Sequence, residues 1–195
     1  MFEDVINILD KKAADFPPNY KWLNTSRPLS LQRLRGHIVI LDFWTYACIN
    51  CMHMVPVLSG IEKAYGSKPV VIIGVHSAKF GNEADPKNIL EAIDRYGITH
   101  PVVVDRHMHL WRSYLVNAWP TFVFIDPNGR VVKKLAGEID ENRFKNIVSS
   151  LLGRYGKEGS LAKGRIRIVN KTRRHNSTLL YPGKLSFSSD HSQFA

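Results

Sequence analysis

The chain has 195 residues, of which 44% are hydrophobic, and its 27 Lys and Arg against 17 Asp and Glu give a net charge of +10 at pH 7. This length and composition allow a domain with a buried core and exclude a chain that is disordered throughout. No run of about 18 apolar residues occurs, so a membrane-spanning helix is not expected.

The predicted elements begin with a short amphipathic helix over residues 2–15, which ends before Pro17 and Pro18. Short extended pieces follow over residues 19–36. Periodicity and turn residues then predict a regular series: strand 38–44, helix 49–65, strand 70–75, helix 86–96, strand 102–104, helix 109–115, strands 121–126 and 131–136, and a helix from Asp140 to about Tyr155. This order predicts an α/β fold with a central mixed β-sheet flanked by helices.

Both cysteines of the chain lie where the first long strand passes into a helix. The strand ends at Trp44, and Cys48 and Cys51 follow as a C-x-x-C motif at the start of the helix. This arrangement is typical of a dithiol that exchanges with disulfides. Free backbone N–H groups and the helix dipole favour a thiolate at Cys48, which is therefore the expected attacking thiol. Cys51, one turn further in and more covered, is the expected resolving thiol.

Other interpretations of the cysteines and histidines remain open at this point. The pair could form a purely structural disulfide or half of a zinc site, although zinc needs four ligands and no second cysteine pair exists. His53 and the pair His107 and His109 could assist a site, or they could simply lie on the surface. His76 follows a strand near the expected active-site edge and could be catalytic or structural. We expect no metal and no organic cofactor beyond the redox-active cysteine pair.

Three features around the cysteines resemble thioredoxin. An Asp-Phe-Trp run over residues 42–44 places an aspartate six positions before the first cysteine, and Pro56 lies five positions after the second. A Trp-Pro-Thr sequence over residues 119–121 precedes a late strand, as the cis-proline of thioredoxins does. The dipeptide between the cysteines is Ile-Asn and not the Gly-Pro of thioredoxin, so a reduction potential cannot be transferred.

The resemblance implies roles for the residues near the dithiol. Asp42 would take the proton of Cys51 when a mixed disulfide is resolved. The Trp119–Pro120 bond would be cis, and its loop would pair with an extended segment of the substrate. Trp44 and Trp119 would lie beside the dithiol and contact the substrate.

A wider set of stretches resembles one particular family, the thioredoxin-like domain of NHL-repeat-containing proteins, in which that domain precedes a β-propeller. The stretches are residues 21–26, 42–56, 74–80, 95–102 and 118–121. The resemblance implies a thioredoxin-like fold with a β-α insertion of the type found in thiol reductases and peroxiredoxins.

The same resemblance implies the organisation of the chain. Residues 1–16 would be an N-terminal helix and linker, residues 17–155 the thioredoxin-like domain, and residues 156–195 a basic linker leading into a propeller. Residues 179–185 are similar to the segment that enters the first propeller strand, so an NHL β-propeller is an expected partner in a longer protein. The tail is basic, but aromatic residues do not alternate with its charges, so nucleic acid is a disfavoured partner.

The function that these patterns favour is thiol–disulfide exchange with protein disulfides as substrates. A peroxidase is an alternative, because Thr45 and Cys48 match half of the peroxiredoxin pattern, but residue 41 is Leu where that pattern has Pro. A second alternative is a non-catalytic interaction or redox-sensing module attached to a propeller. We expect a cytoplasmic location, because the N-terminus lacks the form of a signal peptide and no further cysteines form structural bridges.

Overall fold

A computed structural model describes residues 10–164, 166 and 168 of the chain. Its centre is a six-stranded mixed sheet in the order β1-β4-β3-β2-β5-β6. The strands are Trp22–Leu23 (β1), Ile38–Trp44 (β2), Val70–His76 (β3), Val102–Val104 (β4), Thr121–Ile125 (β5) and Val131–Ala136 (β6). β2, β3 and β4 run parallel, whereas β1, β5 and β6 pair antiparallel with their neighbours.

Within the described residues, four α-helices connect and cover these strands: Ile49–Tyr65 (α1), Pro86–Tyr96 (α2), His109–Ser113 (α3) and Glu141–Lys157 (α4). A short 3₁₀ turn, Gly81–Ala84, precedes α2. The Asp85 side chain accepts a hydrogen bond from the Lys87 backbone N–H at 2.9 Å, and Gly97 ends α2 with φ at 67°. These are the caps that the sequence predicts for this helix.

The central strand β2 has all seven residues buried, as expected for a strand with helices over both faces. Its side chains alternate between two cores. Val39, Leu41 and Phe43 face one core, and Ile38 and Ile40 face the other, where α1 and α4 pack. Asp42 and Trp44 continue the second face, so β2 carries both side chains toward the start of α1.

The regular elements predicted from residue 38 onward are confirmed, with small differences at their ends. α3 ends at Ser113 and α4 continues to Lys157. The predicted N-terminal helix is wrong over residues 10–15, because this segment lies along the turn before β6: the Ala13 backbone N–H bonds to the Gly129 carbonyl at 2.9 Å, and Lys12 bridges Arg130. The remainder of that helix and the predicted propeller entry at 179–185 lie outside the described residues. Within the described ranges, no helix has the length and apolar character needed to cross a membrane.

Candidate active site

The C-x-x-C motif occupies the first turn of α1, where the two sulfur atoms have different surroundings. Cys48 is the N-cap residue with extended backbone (φ −107°, ψ 110°), and its Sγ accepts a hydrogen bond from the Cys51 N–H at 3.4 Å. Cys48 is partly exposed, Cys51 is 3% exposed, and both are free thiols. The structure therefore places Cys48 where a substrate can reach it and Cys51 beneath it.

The covered position of Cys51 changes the acidity of its thiol. Burial raises the pKa of Cys51, and its hydrogen bond with Cys48 and the nearby charge of Asp42 act in the same direction. The backbone of Thr45 opposes this rise. Since the proton is held firmly, Cys51 needs a base before it can act as a nucleophile.

Asp42 is that base candidate, and it is an unusual carboxyl group. It is 6% exposed, and its Oδ1 atom has no hydrogen-bond partner among the residues described. Burial raises its pKa from 3.8 to about 7, and the charge of His100 opposes part of that rise. Asp42 therefore exists near neutral pH in both the acid and the carboxylate form, as a group that must accept and return protons does.

A second loop lies against the end of β2. The β2–β5 register pairs Phe43 with Thr121, which brings the preceding Trp119–Pro120 bond beside the start of α1. That bond is cis. Trp119 is partly exposed, belongs to the same apolar cluster as both cysteines, and donates its indole N–H to the Ser77 carbonyl at 3.1 Å. The loop thus forms one wall of the site.

Trp44 and His76 form the floor beneath the dithiol. Trp44 is 1% exposed and packs edge-on against the His76 ring, with the ring centroids 5.0 Å apart. His76 is fully buried, stacks on Tyr46 at 5.5 Å, and has its pKa lowered to about 4 by burial. Direct contact between Trp44 and a substrate does not fit this burial. Both residues support the site from within.

The other histidines lie apart from this arrangement. His53 is exposed and bonds to Glu138 at 3.1 Å, and His107 and His109 are exposed at the start of α3. Among the residues that the structure describes, no group of three or more His, Cys, Asp or Glu side chains could hold a metal ion.

Two buried groups near the site were missed by sequence reasoning. Thr45 is fully buried and donates its hydroxyl hydrogen to the carboxylate of Glu83, which is 2% exposed. His100 is 4% exposed, and its Nδ1 lies 3.6 Å from Glu62 Oε1. In the sequence only Thr45 is marked, as part of the peroxiredoxin-like pattern. Glu83 and His100 lie in connecting segments, one between β3 and α2 and the other between α2 and β4, where a sequence does not show which side chains become buried.

The surface around Cys48 contains exposed apolar side chains. Ile49, between the two cysteines, is 67% exposed, and Phe80, just before the 3₁₀ turn, is 57% exposed. The Tyr46 hydroxyl reaches the Asn82 carbonyl at 3.5 Å, so the segment that carries Phe80 lies alongside the cysteine loop.

Comparison with known proteins agrees with this fold. Residues 36–131 match a family model described as thioredoxin-like. Over 195 aligned residues the chain is 44% identical to Protein SUPPRESSOR OF QUENCHING 1, chloroplastic, of Arabidopsis thaliana, and over 180 residues it is 42% identical to NHL repeat-containing protein 2 of Homo sapiens. These alignments cover 95% and 91% of this chain but only 18% and 25% of the two relatives.

Among solved structures, a thiol-disulfide isomerase from Corynebacterium glutamicum superposes with a TM-score of 0.63 at 26% identity. That superposition covers 72% of this chain and 96% of the isomerase. The fold is accordingly thioredoxin-like, with a mixed six-stranded sheet flanked by helices. The chain therefore carries a thioredoxin-like domain and is related by sequence to the NHL-repeat-containing proteins.

Proposed function

We propose that this domain is a thiol–disulfide oxidoreductase in which Cys48 and Cys51 reduce or exchange disulfide bonds in partner proteins. The observation that carries the proposal is the asymmetry of the pair. Cys48 is partly exposed at the start of α1, and Cys51 is buried near a carboxyl group whose pKa is about 7. One thiol can reach a substrate while the other stays covered and protonated.

The reaction proceeds by two displacements at sulfur. The Cys48 thiolate attacks one sulfur of a substrate disulfide, forms a mixed disulfide and releases the other substrate sulfur as a thiolate. The Asp42 carboxylate then takes the proton of Cys51. The Cys51 thiolate attacks the Cys48 sulfur, closes the Cys48–Cys51 disulfide and releases the second substrate thiolate. Two electrons pass to the substrate, and the released thiolates take up protons from solvent.

The substrate would bind across the exposed rim of the site. The loop that contains Trp119 and Pro120 offers backbone groups to an extended segment, a short form of strand addition. Ile49 supplies exposed apolar surface next to Cys48, and Phe80 supplies more on the neighbouring segment. Trp119 contacts the bound segment, whereas Trp44 supports the site from the core. The proposed substrates are therefore protein segments in which a cystine has apolar neighbours.

The proposal is tested first by the reduction potential of the cysteine pair. The protein is equilibrated in glutathione redox buffers, and its free thiols are counted by alkylation. A single two-electron midpoint within about −270 to −120 mV, the range of known dithiol proteins, supports exchange. Cys51→Ser should then trap partner proteins as mixed disulfides on Cys48, and Cys48→Ser, as the matched control, should trap none. If no internal disulfide forms, the domain is a non-catalytic interaction module.

The proposal extends to the longer protein. Because one relative is named an NHL repeat-containing protein and the chain spans about a quarter of it, we propose that residues 156–195 lead into an NHL β-propeller. In this division, residues 17–155 are the catalytic domain and residues 1–16 precede it. A cytoplasmic location is part of the same proposal, since a reducing compartment keeps such a dithiol available; the Arabidopsis relative is named as chloroplastic.

A further inference from the structure

A buried carboxyl group lies behind the cysteine loop and takes no part in the steps above. Glu83 belongs to the 3₁₀ turn between β3 and α2 and is 2% exposed. Its Oε2 atom accepts the hydroxyl hydrogen of Thr45 and the backbone N–H of Lys79, the latter at 3.1 Å. Burying a carboxyl group is unfavourable unless it is hydrogen-bonded, so these two donors determine where Glu83 can lie.

Thr45 links this carboxyl group to both cysteines. Its carbonyl accepts the Cys48 N–H at 3.2 Å, which closes the turn before α1. The Cys51 N–H in turn donates to the Cys48 sulfur at 3.4 Å, so the turn that Thr45 closes also sets the position of Cys48 relative to Cys51. Thr45 is fully buried, and its hydroxyl group donates to Glu83.

The segment around Glu83 is well placed to hold Thr45 still. The Glu83 N–H bonds to the Phe80 carbonyl at 3.0 Å, so the turn is closed on itself. The Tyr46 hydroxyl and the Asn88 side chain both donate to the Asn82 carbonyl, at 3.5 and 3.1 Å, which joins the turn to the cysteine loop and to α2. These contacts connect the turn that carries Glu83 to the loop that precedes Cys48.

We propose that Glu83 is a positioning residue of the dithiol, which acts through Thr45 to hold Cys48 where Cys51 can attack it when a mixed disulfide is resolved. This inference rests on the proposed function and adds a residue to it. Without the Glu83–Thr45 bond, the turn closed by the Cys48 N–H is held less firmly, and the Cys48 sulfur lies in line with the Cys51 thiol less often. The first displacement depends less on this bond than the second, because it does not require the two cysteines to be aligned.

The experiment separates the two displacements in the full chain, with glutathione disulfide as the probe. The rate of mixed-disulfide formation on Cys48 and the rate of its resolution by Cys51 are measured by acid quench and mass spectrometry. Thr45→Val, which keeps the shape but removes the hydroxyl, should slow resolution about tenfold, equivalent to about 1.4 kcal/mol. Thr45→Ser, which keeps the hydroxyl, should restore most of the rate.

Changes at Glu83 test the other end of the bond. Glu83→Met removes the acceptor at similar volume and should slow resolution as Thr45→Val does. The double variant, with both Thr45→Val and Glu83→Met, should resolve no more slowly than either single variant. Glu83→Gln keeps an acceptor oxygen and should resolve faster than Glu83→Met. Thr25→Val is the matched control, because Thr25 is also buried but bonds to the Arg27 carbonyl away from the site; its resolution rate should equal that of the wild-type protein.

The outcomes distinguish this inference from the proposed function. If wild-type protein forms no mixed disulfide and no internal disulfide, the proposed function fails. If wild-type protein exchanges normally and Thr45→Val lowers only the melting temperature, Glu83 has a purely structural role and the inference is overturned. Additive effects of Thr45→Val and Glu83→Met on resolution would overturn it too, because the two groups would then act independently.

Discussion

Asp42→Asn should stabilise this protein, and the gain should grow as the pH rises. The carboxyl group is buried and has a pKa of about 7, against 3.8 in the unfolded chain. Between these two values the folded state holds a proton that the unfolded state has released. Folding therefore becomes less favourable as the pH rises through this window. Asparagine, which stays neutral in both states, has no such penalty.

The size of the effect follows from the difference between the two pKa values. Each pKa unit corresponds to about 1.4 kcal/mol, so complete ionisation of Asp42 destabilises the folded state by about 4 kcal/mol. Most of this penalty is present at pH 8, and less than about 1 kcal/mol remains at pH 4. The same variant lacks the base for Cys51 and should resolve mixed disulfides more slowly.

Urea unfolding of the reduced proteins at pH 4, 6 and 8 measures this difference directly. The free energy of unfolding of Asp42→Asn minus that of the wild-type protein cancels the contribution of the other titrating groups. Asp10→Asn is the matched control, because it makes the same substitution at a side chain that is 89% exposed. An Asp42→Asn difference that does not increase between pH 4 and pH 8 would refute the reasoning.

Three further predictions concern the surroundings of the site. Gly74→Ala should destabilise the protein by about 1–3 kcal/mol in urea unfolding, because the added Cβ would lie 2.9 Å from the Trp44 indole nitrogen. Asp85→Ala should lower stability by about 1 kcal/mol through loss of the α2 cap, whereas Asp85→Asn should retain most of it. His76 has a pKa of about 4 and stays neutral in the folded state, so the protein loses stability as the pH falls from 6.5 toward 4 and the unfolded state takes up a proton. His76→Phe should reduce that loss by about 3 kcal/mol, measured by urea unfolding at several pH values.

The sequence predicted the central part of the fold closely because its signals there are local. An apolar run over residues 38–41, continued by Asp-Phe-Trp, defines β2, and Asp85 with Pro86 defines the start of α2. The wrong helix over residues 10–15 shows the limit of such signals. Its apolar spacing is helical, but the segment instead pairs with the turn before β6, more than 100 residues away in the chain.

The sequence predicts the site residues that belong to a motif, but not those that only burial in the folded protein identifies. Cys48, Cys51, Asp42 and Pro120 have recognisable positions relative to one another in the sequence. Glu83 does not, because one acidic residue in a polar loop is normally exposed, and only the tertiary fold places its carboxyl group behind the cysteine loop. Trp44 lies in the same apolar cluster as both cysteines, but at 1% exposed it is too deep for the substrate contact that the resemblance implies.

The antiparallel pairing of β2 with β5 has a consequence for the order of folding. β2 and β3 pair across a loop of about 30 residues, whereas Asp42 meets Phe122 only after about 80. Closing the longer loop costs about 0.8 kcal/mol more free energy, because the chain loses more conformational entropy. The cysteine turn and its helix can therefore form before β5 arrives with the loop that covers them. A newly made chain would expose its most reactive sulfur atoms during that interval, when an oxidant could reach both.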